Sequence, residues 1–207
     1  MPTEKRAEPK RTRDREATAQ ALLDAAHEEF SRKGYEGTTT KEIAARASCS
    51  EALIQRYFKS KEGLLLELIR HHKDEQAPRE IGGLPEARTL VEEVKQILQL
   101  ATKDICARGP ILRIIVSRLM LDTKFARDFH AIAGRQRVLD AIRARLEVAA
   151  GRGWLARDAD LPAAAEMLCL MRFEIAFFER VILGRREKDT DAIIENFARV
   201  FSRGIAR

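Results

Sequence analysis

Long apolar runs are missing from this 207-residue chain, which excludes a membrane-spanning helix. No leader with a basic start and an apolar middle opens it, so the expected location is the cytoplasm. Cysteine is scarce. Cys49, Cys106 and Cys169 have no metal-ligand spacing, and an odd count argues against a disulfide framework, so no metal is expected. Glycine and proline are few and fall between apolar-periodic segments, which predicts a nearly all-α fold. A Glu-x-x-His pair, a glycine-rich phosphate loop and a nucleophile–base signature are also absent. His27 and His130 are lone helix histidines, and His71 and His72 end a helix, where cations are favoured. No catalytic residue, cofactor or internal repeat is expected.

What is present is charge and helical periodicity. The formal net charge is +6, with a pI near 9.4, which suits a polyanionic partner. The charge is spread evenly. Residues 1–73 carry 15 basic against 12 acidic groups, and residues 74–207 carry 23 against 20. Residues 1–15 hold six basic and three acidic groups without apolar periodicity, and read as a basic tail that is disordered in the free protein. Two uses of that tail remain open, contact with a nucleic-acid backbone or groove, and plain solvation.

The most informative stretch is Thr39 to Lys61. Thr39 and Glu42 have capping-box spacing, so a helix can open at Thr39 or Thr40. Ile43, Ala44 and Ala47 give it an apolar stripe. Ser48-Cys49-Ser50 breaks it, because short hydroxyl side chains compete for main-chain hydrogen bonds. Ser50 is placed to cap a second helix over 51–58, with Ile54 and Phe58 inward and Glu51, Ala52, Gln55 and Arg56 outward. This is a helix-turn-helix pattern with a polar face that fits the DNA major groove. Thr38, Thr39, Thr40 and Lys41 sit where hydroxyls and unpaired N–H groups suit a phosphate oxygen. Gln55 suits adenine, and Glu51 suits a cytosine amino group. Glu51 equally suits the helix dipole of its own first turn.

These residues resemble the DNA-binding core of the tetracycline-repressor (TetR) family of bacterial transcriptional regulators. The likeness rests on Thr39, Thr40, Ile43, Ala44, Ala47, Ser50, Ile54, Tyr57, Phe58, Ser60, Lys61 and Leu64, with Phe30, Gly34 and Tyr35 upstream, and covers about residues 16–76. It implies that Tyr57 and Lys61 contact phosphate, and that Ser48, Ser50, Glu51, Ala52, Gln55 and Arg56 face DNA. Four departures from the family pattern bear on the operator read: Ser48 for a turn glycine, Cys49 for valine, Leu53 for threonine and Gln55 for tyrosine. Cys49 fits a small buried hydrophobe, and a thiol sensor is the other reading.

Beyond the head, the periodicity predicts a helix over 60–73, a breaker-rich connection over 77–85, and helices over 90–105, 111–121, 125–150, 161–183 and 189–203. That makes about nine in all, three or four in the head and five in a body over 77–207. Val138, Ile142 and Leu146 form the expected seam of the 125–150 helix. The 161–183 helix is apolar on more than one face and needs two partners. Leu170, Phe177, Phe178 and Val181, with Ile193, Ile194, Phe197, Val200 and Phe201, are the expected homodimer interface. This resembles the family's two-helix contribution to a dimeric four-helix bundle. Ile105, Arg113, Val116, Ser117, Met120, Phe125, Phe129, Met167, Met171 and Phe173 are candidate linings for a small, largely apolar effector, with Arg113 and Ser117 placed to hold a polar or anionic group. The expected partners are therefore double-stranded operator DNA, a second copy of the chain and an effector. A ligand-independent DNA-binding or adaptor dimer, and a helical enzyme, are the alternatives.

Overall fold

The computed structural model describes residues 10–73, 76–132 and 134–206, and within them eleven α-helices and an isolated bridge between Leu155 and Ala206. The helices are α1 (Lys10–Lys33), α2 (Thr40–Arg46), α3 (Glu51–Phe58), α4 (Lys61–Lys73), α5 (Gln76–Gly82), α6 (Leu90–Ala107), α7 (Gly109–Leu121), α8 (Thr123–Ile132), α9 (Arg135–Gly151), α10 (Leu161–Phe173) and α11 (Glu187–Ile205). Among the described residues no helix is long and apolar enough to cross a membrane.

The chain divides into two compact units. The first comprises residues up to His72 together with Ile114–Phe129, so the end of α7 and most of α8 belong with the N-terminal helices. Its buried side chains include Leu22, Phe30, Ile43, Ile54, Leu64, Leu65, Leu68, Ile69 and Phe125. Burying each of the larger ones stabilises the unit by roughly 1.5–3 kcal/mol. The second unit comprises Lys73–Arg113 and His130–Arg207. Leu90, Val94, Ile97 and Leu98 of α6 share its core with Ile142 and Leu146 of α9, Leu168 of α10, and Ile194 and Phe201 of α11.

Several helix boundaries differ from the periodic reading. The α1 helix begins at Lys10, inside the stretch read as an irregular tail, because nothing after Pro9 breaks a helix; residues 1–9 lie outside the described residues. The connection expected over 77–85 holds α5, since Pro78 falls in the first turn, where its missing N–H is not needed. Residues 83–85 are then tied down by Arg145. Its guanidinium pairs with buried Glu93 and donates to the carbonyls of Leu84 (2.8 Å) and Pro85 (2.9 Å).

The helix expected over 125–150 breaks into α8 and α9, with Gly134 as the N-cap of α9. Its seam is Leu139, Ile142, Leu146 and Ala149, and Val138 is only half-buried. The expected 161–183 helix starts as read, with Asp160 accepting from Ala163 N at 3.0 Å, but passes at Glu174 into a π-helix that lasts to Ile182. Gly204 does not end α11. The end is fixed tertiarily, by Ala156 N donating to the Ile205 carbonyl at 2.9 Å.

Candidate nucleic-acid interface

The short helix α2 is held against α1 by charges that alternation of apolar residues does not reveal. Glu29 on α1 is buried, at 3% exposure. Its carboxylate accepts from Arg46 Nε (2.6 Å) and from Arg32 (2.8 Å), and lies 3.4 Å from Lys33. Arg46, at the end of α2, also reaches Glu28 at 2.7 Å. The Arg46 bond, followed by those to Arg32 and Lys33, holds the Glu29 carboxyl below its ordinary range against the opposing effect of burial. Glu29 and Arg46 therefore pin α2 onto α1.

The capping box is present. Thr39 Oγ1 accepts from Glu42 N at 3.2 Å, and Glu42 Oε2 accepts from Thr39 N at 2.9 Å. Lys33 Nζ donates to Glu42 at 2.6 Å. That ammonium first, then the Thr39 donors, lower the Glu42 pKa from 4.5 to about 2. A depressed carboxyl stabilises the fold above its unfolded value, and that contribution is lost as pH falls through the folded value. Stability should therefore fall between about pH 4.5 and 2, and Glu42→Gln should flatten that part of the curve in acid-titrated urea melts. An identical acid limb in the variant would remove Glu42 from this role.

The turn between the helices carries strain. Ser48 has φ +53°, the left-handed region that a glycine would occupy at little cost. Cys49 N donates to the Ala44 carbonyl at 2.9 Å, which keeps the turn closed, and the half-buried Cys49 thiol donates to the Ala47 carbonyl at 3.2 Å. Ser48→Gly should stabilise the protein by about 1 kcal/mol in urea denaturation. No gain would show that the serine hydroxyl compensates the strain.

The second helix leaves a polar face exposed. Ile54 is buried at 1%, while Glu51, Ala52, Gln55 and Arg56 are exposed. Ser50 occupies the N-cap position without a side-chain capping bond, and its side chain is exposed. Thr40 Oγ1 donates to Glu51 at 2.5 Å, which fixes α3 against the start of α2. The chain then turns at Lys59 (φ +71°), and Ser60 caps α4 by accepting from Gly63 N at 2.9 Å.

Three residues expected at phosphate are engaged within the chain. Thr38 is 1% exposed, and its hydroxyl bonds the carbonyls of Gly34 (2.8 Å) and Glu29 (3.1 Å), so it closes α1 from inside. The Thr39 hydroxyl is committed to the capping box. Lys61 Nζ donates to the carbonyls of Tyr35 (2.9 Å) and Thr38 (3.0 Å), 4.2 Å from the centre of the Tyr35 ring. Lys41 is exposed at the α2 N-terminus, and Tyr57 is half-buried with Arg15 5.4 Å from its ring centre.

The sequence reading also missed the cluster around Tyr35 and Glu62. Arg118 on α7 lies 5.0 Å from the Tyr35 ring centre and pairs with Glu62 at 2.9 Å and Asp122 at 2.6 Å. Lys124 pairs with Glu62 at 3.0 Å and Asp128 at 2.7 Å. The first turn of α4 is thereby gripped by α7 and α8 within one unit. No short motif marks such a pairing, because its partners are more than fifty residues apart.

The family model described as "Bacterial regulatory proteins, tetR family" matches residues 22–68, the span that holds the capped helix, the turn and the exposed helix face. Over 55 residues the chain is 51% identical to the uncharacterized HTH-type transcriptional regulator YvkB of Bacillus subtilis (strain 168). Residues 22–68 carry a TetR-type DNA-binding segment. The YvkB match covers 27% of this chain and 29% of that relative. A second B. subtilis relative, the uncharacterized HTH-type transcriptional regulator YdeS, is 24% identical over 181 residues, covering 87% of this chain and 86% of YdeS. The fold is similar to that of Salmonella enterica GusR, with a TM-score of 0.70 at 20% identity over 97% of this chain and all of that one.

The residues expected around an effector fall in different units and surroundings. In the second unit Ile105 is buried, Met171 and Phe173 are half-buried, and Met167 is 53% exposed. In the first, Phe125 is fully buried and stacks on Phe129 at 6.3 Å, Val116 is half-buried, and Ser117 and Met120 are exposed. The polar pair expected to hold a ligand group is committed to main chain. Arg113 donates to the Val181 carbonyl and Ser117 to the Ile114 carbonyl.

The expected interface residues also separate. Phe177 (1%), Ile194 (1%) and Phe201 (6%) lie in the chain's own core, because the buried stripe of each helix passes through them. Val181, Ile193 and Phe197 are half-buried. Leu170 (62%), Phe178 (41%) and Val200 (71%) are exposed, as are Met167, Ile182 and Leu183.

Proposed function

We propose that this chain is a sequence-specific DNA-binding transcriptional regulator of the TetR family, acting in the cytoplasm. It acts as a homodimer on a pseudo-palindromic operator, as a repressor released by a small, largely apolar effector. In this reading residues 1–15 are a basic tail, 16–76 the DNA-reading head and 77–207 the effector and dimerisation body. The carrying observation is the exposed face of Glu51, Ala52, Gln55 and Arg56 on a helix whose far side is sealed by Ile54.

Base reading falls to Gln55 and Arg56, while Lys41, Tyr57 and Ser50 position the head on phosphate. Thr38, Thr39 and Lys61 act from behind, by fixing the main chain that carries them. A second copy would cover the exposed Leu170, Phe178 and Val200, since apolar surface of this kind is an anchor when a partner dries it. Release would run through α7. A ligand preferring a shifted α7 would move the Arg118–Glu62 grip, and with it α4 and the reading helix. An effector with equal affinity for both states would shift nothing.

Selection of binding sites from random duplex DNA with the purified protein tests the reading. A two-fold symmetric consensus is expected, with affinity falling steeply with salt. Gln55→Ala should change preference at one position per half-site by about 1–3 kcal/mol, while Lys41→Ala should weaken all sites alike. Recovery of no consensus would sink the DNA-reading assignment.

A further inference from the structure

A carboxylate stands at the head of the exposed face of α3. Glu51 is the first residue of that helix, and its side chain is exposed. Its Oε1 accepts from Thr40 Oγ1 at 2.5 Å. Among the described residues its Oε2 accepts no hydrogen bond, and the carboxylate joins no ion pair. Glu42, the other acid at this end of the motif, differs in both respects. Its Oε2 closes the capping box, and Lys33 pairs with its Oε1. Thr40, Glu51, Ala52 and Gln55 line one open groove of about 720 Å³, within the first unit.

An unpaired carboxylate on a face that meets DNA is repelled by the phosphates it approaches. The dipole of α3 accounts for an acid in its first turn, but not for the bond to Thr40, eleven residues away on another helix. That bond fixes one oxygen and leaves the other unused, and a side chain already held loses less freedom on binding. In the major groove only cytosine and adenine offer an amino donor, and adenine sets its own beside the N7 acceptor, which repels a carboxylate. Cytosine is therefore the base that suits Glu51. Gln55, which donates and accepts at once, suits adenine.

We propose that Glu51 is a specificity-determining residue that accepts from the amino group of a cytosine in each half-site, and that Thr40 is its positioning residue rather than a phosphate contact. This role presupposes the DNA-reading assignment above. Glu51 and Gln55 lie one helical turn apart, so their Cβ atoms are separated by roughly 5–6 Å. Base pairs stack every ~3.4 Å, which places the cytosine within about two base pairs of the position that Gln55 reads. Where another base occupies that position, the carboxylate meets an acceptor or a methyl group, and its charge disfavours binding.

The test uses the full chain. Selection from random duplex DNA is run with the wild type, Glu51→Ala, Thr40→Val, Thr40→Ser and the double variant Thr40→Val/Glu51→Ala. Each protein is then titrated against the wild-type consensus, its single-pair variants and an unrelated duplex. For the wild type, replacing the cytosine pair should weaken binding about tenfold or more. Glu51→Ala should lose preference at that position alone and keep the position read by Gln55. Having lost a repelling charge, it should bind the unrelated duplex about threefold more tightly. Thr40→Val should reduce the cytosine preference to about threefold, and Thr40→Ser, which keeps the hydroxyl, should retain it. In the Glu51→Ala background Thr40→Val should change nothing further, because the two residues act as one unit.

A Thr40 that contacts phosphate would instead weaken every site alike, with or without Glu51, and that result would overturn the positioning role. A Glu51→Ala protein that loses affinity equally for all sites would make Glu51 a structural residue of the turn and overturn the reading role. A consensus that Glu51→Ala leaves unaltered, or whose Glu51-sensitive pair is not C·G, would sink this inference alone. A wild type that selects no consensus would remove the DNA-reading assignment itself.

Discussion

Gly63→Ala should cost roughly 2–3 kcal/mol of stability and displace the reading helix. The added Cβ would lie 1.9 Å from the Phe58 carbonyl oxygen and 3.1 Å from its carbon, both main-chain atoms at the end of α3. Neither can swing aside as a flexible side chain would. Alanine normally favours a helix over glycine by about 0.5–1 kcal/mol, so the sign here is decided by the clash. Relief requires opening the turn at Lys59 and Ser60, which carries α3 away from α4. Operator affinity should fall by at least about tenfold, beyond any loss of folded protein, since base contacts tolerate little misplacement. Gly82→Ala is the control, because its Cβ would meet nothing within 4 Å. Urea denaturation and operator titration of both variants read the effect. A Gly63→Ala protein as stable and as tightly bound as wild type would show that the turn relaxes freely.

The double variant Leu170→Asp/Phe178→Asp should yield a folded monomer whose operator affinity is lower by about a hundredfold or more. Both side chains are exposed in the isolated chain, at 62% and 41%, so charging them does not bury a carboxylate in the chain's own core. It does place charges in the surface that the proposed dimer dries, where unpaired charge is strongly disfavoured. A monomer presents one reading helix and loses the advantage of binding two half-sites at once. Phe201→Asp makes the contrast. At 6% exposure in the core shared with α6 and α9, it should unfold the body rather than separate intact copies. Sedimentation velocity and far-ultraviolet circular dichroism distinguish the two. A double variant that remains dimeric would move the interface to another face.

Much of the head follows from the sequence by itself, because its determinants are local. The Thr39–Glu42 capping box, the break over Ser48–Ser50 and the outward set Glu51, Ala52, Gln55 and Arg56 depend on residues within one or two helical turns. Periodicity also marks α6, and Asp160 with Pro162 marks the start of α10. It does not mark which apolar face a chain keeps for itself. Phe177 and Phe178 are neighbours of equal hydrophobicity, yet one is 1% and the other 41% exposed. That division is set by helices packing from elsewhere in the sequence, and by the π-helix that changes the spacing over Glu174–Ile182. The roles of the charges were equally hidden. The carbonyls of Tyr35 and Thr38, more than twenty residues away, hold the ammonium of Lys61. Glu29 with Arg46 and Arg118 with Glu62 are likewise pairings across long chain separations. Short-range hydrogen bonding determines where a helix begins, turns and shows a polar face. Burial and long-range charge pairing exist only once the helices have met, so the tertiary structure alone decided which of these side chains hold the protein together and which remain to meet a partner.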